Sequence, residues 1–329
     1  MSEQFQAYQI GKNDDGQRCT LTQLDDSDLM DGDVTVRVEY TTLNYKDGLA
    51  MTGRSPVVRK FPLTPGIDFS GTVIASEHAD FKQGDQVILN GFGVGEAHSG
   101  GYAQKARVSG DWLVPVPEGL DMRHAMAIGT AGYTAMLSVL ALEDHGINPD
   151  HGDILVTGAS GGVGSVAVAV LGKLGYRVIA TTGRMNEKDY LLDLGAADVL
   201  DRAGFAEKAR PLGKELWSGA IDVAGGNTLA NVLSQLKYGG AAAICGLAES
   251  MSLPTTVAPF ILRGISMYGI DSVMASIEKR KVAWTRLAAD LDLKLLDELS
   301  FDLDFADLPQ AAEDILEGKI RGRAVVKLP

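Results

Sequence analysis

The stretch Ile154-Leu-Val-Thr-Gly-Ala-Ser-Gly-Gly-Val-Gly164 decides how this chain is read. An apolar run meets Gly158, Gly161 and Gly164, spaced G-x-x-G-x-x-G with Gly162 added, a variant of the dinucleotide-binding fingerprint. Glycine permits a tight strand-to-helix turn and lets the backbone approach a pyrophosphate. The following helix offers that anion unpaired N–H groups and its positive dipole end. A glycine triplet alone is a weak signal and also reads as a packing turn. Here a predicted strand over 154–157 precedes it, a predicted helix over 163–174 follows, and a second strand is predicted over 177–182, the context the motif requires.

The end of that second strand bears on the cofactor. Dinucleotide units that bind NAD place Asp or Glu there, against the ribose 2′-hydroxyl. This chain has Thr181-Thr182-Gly183-Arg184 instead. No carboxylate repels a 2′-phosphate, and Arg184 can pair with one bidentately, so NADPH is the expected cofactor. Arg202, after the next predicted strand, is a weaker candidate for the same phosphate and reads equally as a surface arginine.

Outward from the loop the alternation continues. A helix is predicted over 186–194, a strand over 221–224, a helix over 229–236 and a strand over 241–245, a rhythm that implies a doubly wound parallel sheet. A further helix is predicted over 278–291. Residues 1–120 read as mostly β, with strands over 34–40, 71–75 and 86–89 and a proline-rich stretch over 111–117 that opposes a helix. The segment 123–142 reads as helical, interrupted by Gly129 and Gly132. A strand over 324–328 follows the turn signal Arg321-Gly-Arg323 and is expected to rejoin the first domain. The fold class is therefore α/β, with a β domain formed by 1–122 and 295–329 and a nucleotide-binding domain over 123–294.

Composition sets bounds. The 329 residues suit two domains at roughly 150 residues each. A formal net charge of −13 opposes sequence-independent nucleic-acid binding, which depends on neutralising phosphates, and favours a soluble cytoplasmic protein. Two cysteines, Cys19 and Cys245, make neither a disulfide framework nor a four-thiolate zinc site. The polar N-terminal stretch 1–10 lacks a signal-peptide core, and no uninterrupted apolar run is long enough to span a membrane.

The chain resembles the medium-chain dehydrogenase/reductase superfamily over nearly its full length. The resemblance is carried by Asn44-Tyr-Lys-Asp47, Pro65-Gly-Ile-Asp-Phe-Ser-Gly71, Gly129-Thr-Ala-Gly-Tyr-Thr-Ala135 and the glycine loop. It implies a GroES-like β domain, a Rossmann domain and a C-terminal return. Zinc-dependent members carry a cysteine ligand near Asn44–Tyr45 and a Gly-His-Glu motif where this chain has Gly66-Ile67-Asp68. Isoleucine cannot ligate a metal. His78, His98, His124, His145 and His151 lack ligand spacing and are expected in loops or at the surface. No metal is therefore expected. Alcohol oxidation loses its Lewis acid, whereas reduction of a polarised alkene or a quinone needs none.

Within the superfamily the resemblance is closest to the acrylyl-CoA reductase (NADPH) group. It is carried by Leu43-Asn-Tyr-Lys-Asp47, Asn90-Gly-Phe-Gly-Val-Gly-Glu96, Leu253-Pro-Thr-Thr-Val257, Pro259-Phe-Ile-Leu-Arg263 and Gly269-Ile-Asp-Ser-Val273. It implies hydride transfer to the β-carbon of acrylyl-CoA, giving propionyl-CoA. The site must stabilise negative charge developing on the thioester oxygen and then protonate the α-carbon. Tyr45 is expected to line the nicotinamide pocket with its hydroxyl as donor, Asn90 to donate to the carbonyl, and Arg323 to pair with substrate or phosphate. Each has a plainer reading: a core-edge tyrosine, a turn with Gly91, a surface arginine. Asp47 and Asp68 are read as ordering their loops. The resemblance adds cofactor contacts at Ser160, Gly161, Gly162, Val163, Thr182, Gly183, Arg184, Arg202, Leu247, Ile261 and Ser272, with Leu247 and Ile261 readable as ordinary core. Coenzyme A carries several phosphates, and Arg54, Arg59 and Lys60 form a local basic cluster that suits them. A quinone or enone reductase and a non-catalytic NADPH-binding protein are the competing functions. The resemblance also implies a homodimer, formed around 264–273.

Overall fold

The computed structural model describes residues 4–14 and 16–329. The first three residues of the polar N-terminal stretch, and residue 15, lie outside the described residues. Contacts divide the chain into two compact units. One runs to Thr130 and includes Ser272–Ala288 and Leu296–Pro329; the other is Ala131–Asp271 with Ala289–Leu295. Residues 272–288 thus group with the first unit, where the sequence reading placed them in the nucleotide-binding domain.

The first unit is built on a seven-stranded sheet. Its path runs Ser300–Leu303, Arg323–Lys327, Val34–Leu43, Asp68–Ser76, Gln86–Asn90 and Leu113–Pro115, and Lys105–Val108 also pairs with Val34–Leu43. Val34, Val36 and Val38 alternate with outward residues and bury their side chains with Phe69, Val73, Val87, Leu89 and Val326, as a half-buried strand must. The C-terminal strand pairs antiparallel with the third, Ala324 opposite Leu43 and Lys327 opposite Tyr40. Phe5–Asn13 and Gly16–Leu24 form a separate two-stranded ladder. The helix Tyr45–Thr52 lies close to Leu308–Leu316: a Cβ on Gly48 would meet Ile315 Cγ2 at 2.8 Å.

The second unit holds six strands, all parallel, in the order Ala196–Asp201, Val178–Thr182, Ile154–Val156, Trp217–Asp222, Leu236–Ile244, Ser266–Gly269. This is the 3-2-1-4-5-6 order of a Rossmann sheet, reversing between Ile154–Val156 and Trp217–Asp222. The helix Gly162–Lys173 buries every residue from Gly164 to Leu171, which explains its almost unbroken apolar sequence.

Two predicted boundaries move for physical reasons. The fourth strand is Trp217–Asp222 rather than 221–224, because small residues (Ser218, Gly219, Ala220) pack in a sheet covered on both faces and the chain turns at Gly225 with φ +72°. The fifth begins at Leu236; Gly239 and Gly240, which look like a turn, sit where its register shifts. In Met122–Asp144 only Gly129 leaves helical geometry (φ 51°, ψ −162°), so Gly132 does not interrupt the helix. That helix is long and apolar enough to cross a membrane, and 83% of its most apolar window is buried inside the protein.

Candidate active site

The nucleotide cradle belongs to the second unit. Gly158 turns the chain with φ +57°, and a Cβ there would stand 2.4 Å from Val223 Cγ2. A Cβ on Gly164 would fall 2.4 Å from the Gly158 carbonyl oxygen and 2.6 Å from Ala159 Cα. Only glycine brings the helix this close to the loop. Gly161 is its N-cap and adds no side-chain cap, so the first-turn N–H groups stay available to an anion. Behind the loop, Thr157 Oγ1 donates to Asp222 Oδ1 at 2.7 Å and accepts from the Val223 N–H at 3.0 Å. The Gly225 N–H donates to Asp222 Oδ2 at 2.7 Å. This clasp joins the first and fourth strands of the Rossmann sheet where the strand order reverses. Burial pushes the Asp222 carboxyl up, against the hydrogen bonds from Thr157 and Gly225.

Ser160, Thr182 and Arg184 form one hydrogen-bonded group. Ser160 Oγ and Thr182 Oγ1 are 2.9 Å apart, and the Arg184 N–H donates to Thr182 Oγ1 at 3.0 Å. The Arg184 guanidinium donates to Ser160 Oγ at 3.2 Å and to its carbonyl at 3.3 Å. Glu187, which sequence reasoning missed, holds the other edge, 3.0 Å from Nε; its i+3 spacing was the available signal. A Cβ on Gly183 would lie 2.5 Å from Arg202 Nε, so Arg202 lies against the same turn. Two guanidinium groups therefore flank the end of the second Rossmann strand, and the cradle fits a phosphorylated dinucleotide. Leu247 and Ile261 are 58% and 73% exposed, which corrects their reading as ordinary core.

In the first unit Tyr45 opens the helix Tyr45–Thr52 and is 49% exposed. Beneath it lies a buried ionic network. The Asp47 carboxylate accepts from the Ile67 N–H and the Asn44 N–H, each at 2.9 Å, and from Asn44 Nδ2 at 3.1 Å. Asp68 accepts from the Thr130 N–H at 2.6 Å and Asn44 Nδ2 at 3.2 Å. Arg323 donates to the Ala127 carbonyl at 3.0 Å, Thr42 Oγ1 at 2.9 Å and Asn44 Oδ1 at 3.3 Å. Burial, and then Asp68, push the Asp47 carboxyl up to about 7. Burial raises Asp68 as well, while Arg323 pulls it down; burial lowers the Arg323 guanidinium.

Two of the expected substrate contacts are buried. Arg323 has its guanidinium committed to protein acceptors and balanced by Asp68 and Asp47, so it positions the strand ends. Asn90 is also buried. Its Oδ1 accepts from Trp284 Nε1 at 3.2 Å, its Nδ2 reaches Thr130 Oγ1 at 3.5 Å, and its carbonyl accepts from Arg280 at 2.6 Å. Arg280 was missed: it also donates to the Ser272 and Val273 carbonyls, and its guanidinium lies 4.1 Å from the Phe92 ring centroid. Its i+4 spacing to buried Trp284, and Leu287 beyond, was the signal that this charge faces inward. Ser272, expected to touch cofactor, lies in the first unit. Among the described residues no three His, Cys, Asp or Glu side chains cluster in a way that could hold a metal.

Comparison with known proteins bears on this geometry. Residues 162–289 match the zinc-binding dehydrogenase family and residues 30–118 the alcohol dehydrogenase GroES-like domain. An acrylyl-CoA reductase of Ruegeria pomeroyi is 52% identical over 98% of both chains. A Salmonella enterica oxidoreductase solved with NADP superposes with a TM-score of 0.97 at 51% identity, covering 98% of this chain and all of that one. The Escherichia coli K-12 protein YhdH, solved with NADPH, gives a TM-score of 0.96 at 52% identity with the same coverage.

Proposed function

We propose that this chain, which belongs to the medium-chain dehydrogenase/reductase superfamily, reduces the carbon–carbon double bond of acrylyl-CoA to give propionyl-CoA. The observation that carries this reading is 52% identity, over 98% of both chains, to an acrylyl-CoA reductase. NADPH, when bound, supplies the hydride that adds to the β-carbon. Gly158, Ser160–Gly164, Thr182–Arg184 and Arg202 hold it: the glycines admit the pyrophosphate, and the two arginines meet the 2′-phosphate. Leu247 and Ile261 supply apolar surface toward the nicotinamide, and Ser272 a backbone contact.

Tyr45 is the residue of the first unit offered to the substrate. Its hydroxyl donates to the thioester oxygen as negative charge grows there, and the resulting enolate takes a proton from water at the α-carbon to give propionyl-CoA. Asn44, Asp47, Asp68 and Arg323 fix the backbone on which Tyr45 stands; Asn90, held by Trp284 and Arg280, fixes the neighbouring loop. The reaction is zinc-independent in this reading, since Ile67 stands where zinc-dependent relatives place a ligand. The protein works as a cytoplasmic homodimer, with the edge strand Ser266–Gly269 and its exposed Met267 and Tyr268 as the pairing surface.

The test follows NADPH absorbance with purified protein and acrylyl-CoA, crotonyl-CoA or a simple quinone. Rapid oxidation with acrylyl-CoA, reduced at least about tenfold in kcat by Tyr45→Phe, is expected. Turnover of the quinone without turnover of acrylyl-CoA would replace the thioester reading with a quinone reductase. Cofactor binding with no turnover of any of the three would leave a non-catalytic protein.

A further inference from the structure

The chain is strongly acidic, yet one surface of the first unit is locally basic. Arg59 and Lys60 lie in the loop before Leu63, and Lys12 reaches the same place from the strand Phe5–Asn13, its Nζ 5.8 Å from the Phe61 ring centroid. Phe61 is 38% exposed. Arg54 is committed to Glu313. Lys12 and Lys60, by contrast, pair with no carboxylate among the described residues. An exposed aromatic ring amid uncommitted cations has the chemistry of a nucleotide site: the ring stacks on a base and the cations meet phosphates.

The same loop is tied to the helix that carries Tyr45. The Arg59 N–H donates to the Glu96 carbonyl at 2.7 Å, and the Glu96 carboxylate accepts from Lys46 Nζ at 2.7 Å. Lys46 is the next residue after Tyr45. A coenzyme A thioester has its reacting acyl group at one end and its adenosine phosphates at the other, joined by an uncharged pantetheine arm. Its two ends therefore call for two sites, connected but apart.

We propose that Lys12, Arg59, Lys60 and Phe61 form the docking site for the adenosine phosphate end of coenzyme A, an inference that rests on the acrylyl-CoA reading. Phe61 stacks on the adenine and Lys12 and Lys60 pair with the phosphates, while Arg59, whose guanidinium lies 3.7 Å from the Glu96 carboxylate, adds its remaining edge. The pantetheine arm runs past Glu96 and Lys46 to Tyr45.

The test compares acrylyl-CoA with acrylyl-pantetheine, which has the same reacting end and no nucleotide. Lys12→Glu and Lys60→Glu are both at the surface, and circular dichroism checks their folding. Each should raise KM for acrylyl-CoA about fivefold, leaving kcat and the KM for acrylyl-pantetheine unchanged. Calorimetric titration with coenzyme A, at saturating NADP so that the dinucleotide cradle is filled, should show the same weakening. Unchanged KM values, or equal rises for the two thioesters, would overturn the proposal. If the unaltered protein turns over neither thioester, the acrylyl-CoA reading fails, and the titration still decides whether this surface binds coenzyme A.

Discussion

Replacing Arg323 with methionine tests the buried network directly. Methionine fills much of the volume and carries no charge. Three hydrogen bonds disappear, to Ala127, Thr42 and Asn44, and Asp68 and Asp47 stay buried without their cation. Removing one partner of a buried ion pair costs about 3 to 5 kcal/mol, mostly because the other charge is left uncompensated. That penalty falls once Asp47, whose carboxyl is pushed up to about 7, takes up a proton, so the variant should lose less stability at pH 5 than at pH 8. With two units, a single global transition is not assured, and a local probe is needed. Trp112 and Trp284 lie in the first unit and Trp217 in the second. In a Trp217→Phe background, fluorescence during urea unfolding reports the first unit alone. Adding Asp68→Asn should recover at least ~1 kcal/mol of the loss, the signature of coupled neighbours. A loss under ~1 kcal/mol, equal at both pH values and simply additive with Asp68→Asn, would refute the reasoning.

The same carboxyls give the intact protein a pH dependence. Asp47 has its folded pKa raised from 3.8 to about 7, so the folded state holds this proton more tightly than the unfolded chain does. The stability it contributes is fully present below the unfolded value and is lost as pH rises through about 7. Urea midpoints measured from pH 5 to pH 8 should fall, and Asp47→Asn should flatten the slope. Arg184→Ala should raise KM for NADPH about ten- to a hundredfold with little change for NADH, since only the phosphorylated cofactor loses a charge-assisted pair; equal effects on both would assign Arg184 to the loop's structure. Gly164→Ala should weaken NADPH binding at least about tenfold in a fluorescence titration, because its Cβ would fall 2.4 Å from the Gly158 oxygen and the loop must shift.

The nucleotide cradle was legible because its parts are close in sequence. Gly158 to Gly164, and Thr182 to Arg184, fold on their neighbours, so strand, turn and helix signals specify them together. The first-unit network was legible only as residue types. Arg323 and Asp68 come from strands far apart in the chain, and nothing local marks an arginine before a terminal strand as buried. Asn90 and Arg280 failed similarly: a polar residue beside Gly91 looks like a turn, and an arginine in Glu278-Lys-Arg-Lys281 looks solvated, until Trp284 and Leu287 set the inward face. Strand limits in the Rossmann sheet were blurred because buried parallel strands built from Gly, Ala and Ser lack the alternation that marks an exposed edge.

Gly129 gives the buried charges a consequence for variation. Its backbone sits at φ 51° and ψ −162°, and a Cβ would stand 2.5 Å from an Arg323 nitrogen, 2.9 Å from Thr42 Cγ2 and 3.0 Å from Asp68 Oδ2. Geometry and crowding forbid the same substitutions for independent reasons, so a change at a neighbour that relieves one leaves the other in force. In a saturation library selected for folding, this position should return glycine alone, and no second-site suppressor should be recoverable from Thr42, Asp68 or Arg323. Chain drift would have to pass around this point, where one residue without a side chain stays fixed at the centre of the charge network.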